Sequence, residues 1–188
     1  MRIRHHASLG LAATACLVLS GCTNAADWNA NRSSQIHSFD TSSIQAQPDI
    51  IAKLPQGALE DGVLDVAAST DYAPAEFLDP SGTAVGYDVD LTNAIAAVLG
   101  VKGKVHTAEF DSIIASIGSK YDAGISSFTV TPERTAEVDM TAYINVGSRF
   151  NVQAGNPKGV ETSDHLQLCG RTIGVQVGTA QETTMRDA

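Results

Sequence analysis

Residues 126–134 read Ser-Ser-Phe-Thr-Val-Thr-Pro-Glu-Arg and bring hydroxyl groups close to a guanidinium group. A guanidinium is a planar, permanently charged fork that can hold a carboxylate through two parallel hydrogen bonds. The hydroxyls of Ser127 and Thr129, and backbone N–H groups near Thr129, can complete the hydrogen bonding of the same anion. The alternative for Arg134 is a surface ion pair with a neighbouring glutamate, which is a common and weak interaction.

Two aromatic residues and two polar residues lie in loops that could face the same ligand. The rings of Tyr72 and Phe110 can wall an aliphatic chain and attract an ammonium group. The alternative is that both are core aromatics, in a chain with 5 Phe, 4 Tyr and 1 Trp. Gln176 and Thr179 precede a predicted helix whose first N–H groups suit a carboxylate. An ordinary strand-to-helix turn with a threonine cap is the alternative there.

The hydropathy pattern predicts an α/β fold in which strands alternate with helices. Helix 88–99 has an apolar stripe at Leu91, Ile95, Val98 and Leu99, with Asp88 as its N-cap. Alternation of this kind predicts a parallel sheet, with ligands bound beyond the carboxyl ends of its strands. The predicted strands are 63–68, 101–108, 123–126, 148–153 and 171–177, and further helices are predicted over 111–120 and from Thr131 and Ala180.

Composition excludes several function classes. The formal net charge is -9, and this acidity argues against a nucleic-acid partner. The five histidines are scattered without ligand spacing, so no metal site is expected. We find no Gly-rich phosphate loop, nucleophile elbow or catalytic carboxylate pair, and we expect no cofactor and no enzymatic activity.

The N-terminal segment predicts export and anchoring. Residues 1–21 have a short basic start and an apolar run, which is typical of a secretory signal peptide. The run ends at Leu-Ser-Gly-Cys, which resembles the bacterial lipobox, so Cys22 is the predicted site of lipidation. Residues 22–49 are polar and lack periodicity, which predicts a flexible tether between the lipid and a folded body.

Residues 86–91 read Gly-Tyr-Asp-Val-Asp-Leu, and together with Ile95 and Leu99 they resemble the signature of the family 3 solute-binding proteins. These are the polar amino acid and opine receptors of ABC importers. Four other segments, 69–77, 110–114, 126–134 and 174–182, resemble the family's ligand loops in the same order. The resemblance implies the periplasmic-binding-protein (type II) fold of two lobes, with residues 50–147 as a nearly complete first lobe and 148–188 as the start of a second, truncated lobe.

The resemblance also implies a function. The protein would bind an amino acid in an interlobe cleft and deliver it to an ABC permease, from the outer face of the cell membrane to which its lipid anchors it. Two alternatives remain open: an enzyme on the same fold, such as a cyclic dehydratase, and a truncated remnant without function. The implied ligand contacts are Ser69, Tyr72, Phe110, Ser126, Ser127, Thr129, Arg134, Gln176 and Thr179.

Two features depart from the expected pattern. Many members carry an acid where this chain has Ser69, and the nearby Asp71 is expected to point away from the ligand because side chains alternate along an extended segment. The acid that takes the ligand ammonium would then lie in the second lobe, beyond residue 188. Cys169 is the third cysteine, and export predicts a disulfide to a partner that is also absent from this sequence.

Overall fold

The structure is a computed structural model, and it describes residues 38–163 and 165–187. Its main sheet has three parallel strands in the order β5-β1-β6, formed by β1 (Val63–Ala68), β5 (Lys102–Thr107) and β6 (Ala123–Gly124). A second, antiparallel sheet follows β1 in the chain. Its strands are β2 (Asp71–Tyr72), β3 (Glu76–Leu78) and β4 (Ala84–Val85). The helices are α1 (Pro48–Ile51), α2 (Tyr87–Leu99), α3 (Phe110–Ser116), α4 (Pro132–Thr135) and α5 (Ala180–Asp187), with a 3-10 turn at His165–Leu168.

Strand β1 is the centre of the core because helices cover both of its faces. Leu64 and Val66 pack with Ala96 of α2, and Ala67 packs with Ile113 of α3. Burial on both faces is typical of parallel sheets. The α/β prediction and the predicted strand 63–68 are confirmed, and the carboxyl ends of β1, β5 and β6 lead into the predicted ligand loops.

Helix α2 presents a different face to the core from the predicted one. Its buried positions are Asp88, Val89, Thr92 and Ala96, whereas Ile95 is 42% exposed. Small side chains line the inner face because the helix lies very close to β5: a Cβ at Gly103 would sit 2.8 Å from Asn93 Oδ1. The N-cap is Gly86, so Asp88 is not the cap but a fully buried residue in the first turn.

One predicted helix, 111–120, and one predicted strand, 123–126, extend further along the chain than the observed elements do. Helix α3 stops at Ser116, because Ile117 is extended and Gly118 adopts a left-handed conformation that turns the chain towards Tyr121. Strand β6 comprises Ala123–Gly124 and leaves Ser126 in the loop.

The predicted strands 148–153 and 171–177 are wrong. Neither forms a strand, and almost every residue in them is exposed. In the part of the chain that the structure describes, neither segment has a strand beside it. An extended segment without a partner gains neither ladder hydrogen bonds nor a buried face.

Residues 38–49 are not the free tether that their composition suggested. Ser38 Oγ donates to Asp90 Oδ1 at 2.5 Å, and the Phe39 N–H donates to Asp90 Oδ2 at 2.9 Å. Further along, the Gln47 N–H donates to the Val98 carbonyl at 2.8 Å, and α1 packs against α2. The polar segment is ordered because α2 supplies hydrogen-bond acceptors for it. The rest of the predicted tether, Cys22 and the signal peptide lie outside the described residues.

Candidate functional site

A cleft of about 340 Å³ lies beyond the carboxyl ends of β1 and β5. Its position agrees with the rule for parallel sheets, in which loops at the strand ends converge on the ligand. Three of its lining side chains are carboxylates, so the cleft has an acidic wall. The lining residues are Asp71, Glu109, Phe110, Asp111, Gln176 and Val177.

Asp71 lies in this cleft, which corrects the expectation that it points away. The Asp71 N–H donates to the Ser69 carbonyl at 2.9 Å, which closes a three-residue turn directly after β1. In an extended strand, successive side chains point to opposite sides. The turn interrupts this alternation, so the side on which Asp71 lies cannot be read from its position next to Tyr72. Ser69 Oγ donates to Asp71 Oδ1 at 3.0 Å and accepts from Gln176 Nε2 at 3.3 Å. Ser69 therefore orients an acid of the cleft and links it to the opposite wall.

Phe110 lines the apolar part of the cleft and is backed by a ring that the sequence interpretation did not single out. The Phe110 and Phe128 rings are stacked, with centroids 4.5 Å apart and an interplanar angle of 29°. The Arg134 guanidinium carbon lies 5.6 Å from the centroid of Phe110 and 5.3 Å from that of Phe128. Phe128 was detectable in principle, because it lies between the two predicted hydroxyl residues of the same loop.

Arg134 connects the two walls of the cleft. Its Nη1 donates to the Thr129 carbonyl at 2.7 Å, and its Nη2 donates to the Gly178 carbonyl at 2.8 Å. These bonds use two of the five N–H donors of a guanidinium, which leaves three for a ligand. Partial burial lowers the pKa of Arg134 from its ordinary value, and the group stays charged at physiological pH. The alternative of a surface ion pair with a neighbouring glutamate does not describe these contacts.

Gln176 and Thr179 have separate roles. Gln176 lines the cleft and reaches Ser69. Thr179 caps α5: its hydroxyl donates to the Gln176 carbonyl at 2.8 Å and accepts from the Glu182 N–H at 3.1 Å. Glu182 Oε2 accepts from the Gly178 N–H at 2.7 Å, so the helix start is occupied by its own side chains. The geometry at Thr179 is that of a helix start with a threonine cap, and the described residues directly before it form no strand.

The remaining predicted contacts lie around the cleft. Tyr72 is 55% exposed on β2 and lies outside the cleft lining. Thr129 is exposed and offers its carbonyl to Arg134. The hydroxyls of Ser126 and Ser127 point the other way, because they donate to Glu76 Oε1 at 2.5 Å and to Asp88 Oδ2 at 3.4 Å. The loop thus has one side towards the cleft and another towards buried acids.

Glu76 and Asp88 are buried carboxyl groups outside the cleft lining, and each is 0% exposed. Burial, together with the neighbouring Asp88 carboxyl group, raises the pKa of Glu76 to about 8, and the hydrogen bond from Ser126 opposes this shift. Tyr143 OH donates to Asp88 Oδ2 at 2.8 Å. Burial and this hydrogen bond raise the pKa of Tyr143 above its ordinary value. The sequence offered no signal for the pair except two acids in apolar surroundings.

Residues 38–163 and 165–187 contain neither a metal-binding cluster nor a helix that could cross a membrane. Within these ranges, no group of three or more His, Cys, Asp or Glu side chains is arranged to hold a metal ion. In the same residues, no helix combines the length and the apolar character needed to cross a bilayer.

Comparison with known proteins assigns the family. The profile of the bacterial extracellular solute-binding proteins, family 3, matches residues 64–186. The chain belongs to this family. The match covers all but the first residue of β1, the residues that line the cleft and nearly all of α5, and it confirms the resemblance at residues 86–91. It also makes the chain a member of a family of extracytoplasmic binding proteins.

This solute-binding protein is similar to several characterised relatives. It is 31% identical over 179 residues to the arginine-binding protein ArgT of Corynebacterium glutamicum, covering 94% of this chain and 56% of the relative. It is 32% identical over 129 residues to the L-cystine-binding protein TcyJ of Escherichia coli, covering 68% and 48%. The crystal structure of an ancestral amino acid-binding protein, AncCDT-1, described as a precursor of cyclohexadienyl dehydratase, superposes with a TM-score of 0.63 at 32% identity, covering 69% and 58%.

These similarities confirm the fold class. The solute-binding protein has the α/β architecture of type II periplasmic binding proteins, and the relatives named above are amino acid-binding proteins. The chain spans about half the length of the curated relatives it matches. Substrate, transport partner and anchoring are therefore matters for proposal.

Proposed function

We propose that this protein captures a basic amino acid, with L-arginine as the reference ligand, and delivers it to an ABC permease. The observation that carries the proposal is the acidic cleft with an arginine at its edge. Asp71, Glu109 and Asp111 line it, and the Arg134 guanidinium lies over the Phe110 ring that forms its apolar wall. An amino acid with a cationic side chain has two positive groups and one negative group, and this arrangement matches that pattern.

The carboxylate of the ligand is assigned to Arg134. Three of its N–H donors are not used by the Thr129 and Gly178 carbonyls. A charge-assisted, bidentate contact of this kind is stronger than a hydrogen bond between neutral groups. Ser127 and Ser126 support the loop through buried acids, and Thr129 supports Arg134, so these residues hold the site while Arg134 contacts the ligand.

The two positive groups of the ligand are assigned to the acidic wall. Asp71 is held by Ser69 Oγ, so its carboxylate is oriented before the ligand arrives. Glu109 and Asp111 flank Phe110 at the start of α3, where a planar guanidinium can stack on the ring and pair with a carboxylate. Names of relatives such as the arginine-binding protein ArgT support this ligand class. The proposed ligand contacts include Gln176 but not Tyr72 or Thr179.

Catalysis is the second candidate, and the site disfavours it. Glu76 has the perturbed pKa expected of an acid–base catalyst. It is fully buried and does not line the cleft, so it cannot touch a substrate there. We therefore infer a binding protein without enzymatic activity and without a cofactor, and the cyclic-dehydratase alternative is the less supported one.

The proposal includes the membrane attachment implied by the N-terminal sequence. Cys22 would carry the lipid and hold the protein on the outer face of the cell membrane. Residues 38–49 are fixed on α2 by hydrogen bonds to Asp90 and Val98, so only residues 23–37 would span the gap to the membrane. At about 3.5 Å per residue, a fully extended segment of that length reaches about 50 Å.

Calorimetry with L-arginine, L-cystine and L-glutamate on the purified protein tests the ligand class. We expect L-arginine to bind, and L-glutamate to bind at least about tenfold more weakly because the acidic wall repels it. Arg134→Lys is expected to weaken binding of L-arginine at least about tenfold, since an ammonium cannot form the bidentate contact. Arg149→Lys, at an exposed position away from the cleft lining, is the control and should leave the affinity unchanged.

Three results would contradict the proposal. Preference for L-glutamate over L-arginine would show that the acidic wall does not face the ligand. Equal affinities of the Arg134→Lys variant and the parent protein would remove Arg134 from the site. Absence of binding for every amino acid tested would favour the remnant without function.

A further inference from the structure

We propose that Glu76 and Asp88 share one proton, and that this carboxyl–carboxylate pair positions the 126–127 segment and Tyr143. Neither residue belongs to the cleft lining, so both act as positioning residues. The inference rests on the proposed function in one respect: residues 126–129 are taken to be a ligand loop.

Backbone contacts bring the two carboxyl groups together. The Asp88 N–H donates to the Ala75 carbonyl at 2.9 Å, and the Tyr87 N–H donates to the Pro74 carbonyl at 3.3 Å. These bonds fasten the start of α2 to the residues directly before Glu76. Ala75 is 0% exposed, so bulk solvent does not reach this junction. The junction therefore holds the chain segments of the two acids together, both acids are 0% exposed, and Asp88 is close enough to act on the pKa of Glu76.

The hydrogen bonds of the pair leave one oxygen on each side without a partner. Glu76 Oε1 accepts from Ser126 Oγ, and Asp88 Oδ2 accepts from Tyr143 OH and Ser127 Oγ. Among the described residues, Glu76 Oε2 and Asp88 Oδ1 are buried and have no hydrogen-bond partner. An orphaned buried acceptor is costly, and two on adjacent carboxyl groups are both satisfied by a single proton between them.

Among residues 38–163 and 165–187, no cationic side chain forms an ion pair with either acid. The charged groups that act on Glu76 are Asp88 from α2 and Asp71 from β2, and both are negative. Two carboxylates in a buried site without a cation cannot both ionise, which is why such pairs hold a proton to unusually high pH. The raised pKa of Glu76, about 8, agrees with this geometry.

The proton is connected to the ligand loop by short chains of hydrogen bonds. On the Glu76 side, Ser126 Oγ donates to the carboxyl group and accepts from the Ser69 N–H at 3.0 Å. Ser69 in turn orients Asp71 in the cleft. On the Asp88 side, Ser127 and Tyr143 are held, and Ser127 adopts a left-handed φ of 49°, which is uncommon for a residue with a side chain.

Loss of the proton would therefore change the site. A second negative charge would repel Asp88 from Glu76, and both would compete more strongly for the donors of Ser126, Ser127 and Tyr143. The strained turn at Ser127 is the element that can relax. We expect the loop and Tyr143 to change conformation together, at the pH at which Glu76 ionises.

Nuclear magnetic resonance without any ligand tests this inference. The carboxyl carbon of Glu76, the amide of Ser127 and the ring of Tyr143 are followed from about pH 5 to about pH 9.5. We expect Glu76 to titrate several pH units above the ordinary glutamate value of about 4.3. We also expect the Ser127 and Tyr143 signals to move with the same midpoint, which a purely structural role would not produce.

Variants separate the proton from the general effect of a mutation. Glu76→Gln keeps a neutral group with hydrogen-bond donors, so the Ser127 and Tyr143 signals should stay near their low-pH positions over the whole range. Glu60→Gln, at an exposed glutamate, should leave the titration unchanged. If Glu76→Gln does not fold, the titration of the parent protein is sufficient to test the inference. Asp88→Asn provides a second variant, in which the signals of Glu76, Ser127 and Tyr143 should no longer have a common midpoint.

Two outcomes overturn the inference: a Glu76 midpoint close to the ordinary glutamate value, or Ser127 and Tyr143 signals that stay constant while Glu76 titrates. Calorimetry with L-arginine distinguishes this inference from the proposed function. Co-titration of the three signals in a protein that does not bind L-arginine would support the proton pair and refute the proposed ligand.

Discussion

Replacement of Gly86 by alanine tests the close approach that brings Glu76 and Asp88 together. Gly86 has φ 125° and ψ 173°, a conformation that is essentially restricted to glycine. A Cβ at this position would lie 2.2 Å from the Ala75 carbonyl oxygen and 2.8 Å from the Pro74 carbonyl oxygen. Because both obstacles are backbone atoms, the clash cannot be relieved by a side-chain rotation.

The expected magnitude has two parts. Backbone strain at a position of this type costs about 1–3 kcal/mol. Relief of the clash must displace residues 74–75 or the start of α2, and overpacking of a dense core costs a further ~1–3 kcal/mol. The displacement also weakens the two hydrogen bonds from Tyr87 and Asp88 to this segment, worth about 1 kcal/mol each. We expect Gly86→Ala to lower the free energy of unfolding by at least about 3 kcal/mol.

Gly62→Ala is the matched control for this experiment. Gly62 also has a positive φ, 75°, but a Cβ there has no atom within 4 Å. This variant should show only the conformational cost, about 1 kcal/mol. Urea denaturation followed by circular dichroism measures both free energies, and the slope of the transition checks that both variants unfold in the same way. Equal losses in the two variants would refute the close approach at Gly86.

Three other predictions concern the ionisation of Glu76 and the two cysteines Cys22 and Cys169. The free energy of unfolding should fall as pH rises from about 5 to about 8, by up to ~1.4 kcal/mol per pH unit, because the raised pKa of Glu76 makes the folded state bind a proton that the unfolded state releases. Glu76→Gln should remove this slope, and stability that rises over the same range would contradict it. Mass spectrometry of the membrane fraction should find a diacylglyceryl group on Cys22; a mature chain that starts elsewhere would disprove lipidation. Cys169 is exposed and unpaired in the described part of the chain, so a form that begins after Cys22 should react with a thiol reagent before denaturation. Reaction only after denaturation would show that Cys169 is buried.

Much of the fold could be predicted because its signals are local. Strand β1 is a short apolar run, and the alternation with α2 and β5 indicates a parallel sheet without any tertiary information. The family resemblance at residues 86–91 is also a local pattern, and the family profile confirms it. Phe110, Arg134 and Gln176 were predicted as site residues, and the structure places all three at or beside the cleft.

The predictions that were wrong concern segments whose structure depends on contacts with distant parts of the chain. Residues 148–153 and 171–177 have the composition of strands, but in the described chain they have no partner to pair with. Polar residues 38–49 were predicted to be free, and they are ordered because Asp90 and Val98 accept their hydrogen bonds. Strand pairing and the packing of a segment on a helix depend on residues far away in the sequence. The hydropathy pattern within one segment therefore does not predict them.

By itself, the sequence determined the fold class, the family and the residue types that surround the cleft, since these follow from hydropathy patterns and short motifs. Tertiary structure alone decided what each polar side chain does. A three-residue turn places Asp71 in the cleft, and the close approach at Gly86 joins Glu76 to Asp88. The same contacts draw the hydroxyls of Ser126 and Ser127 towards the buried acids. The physical reason is that hydrogen bonds and charge effects depend on distances of a few ångströms between residues that are far apart in the chain.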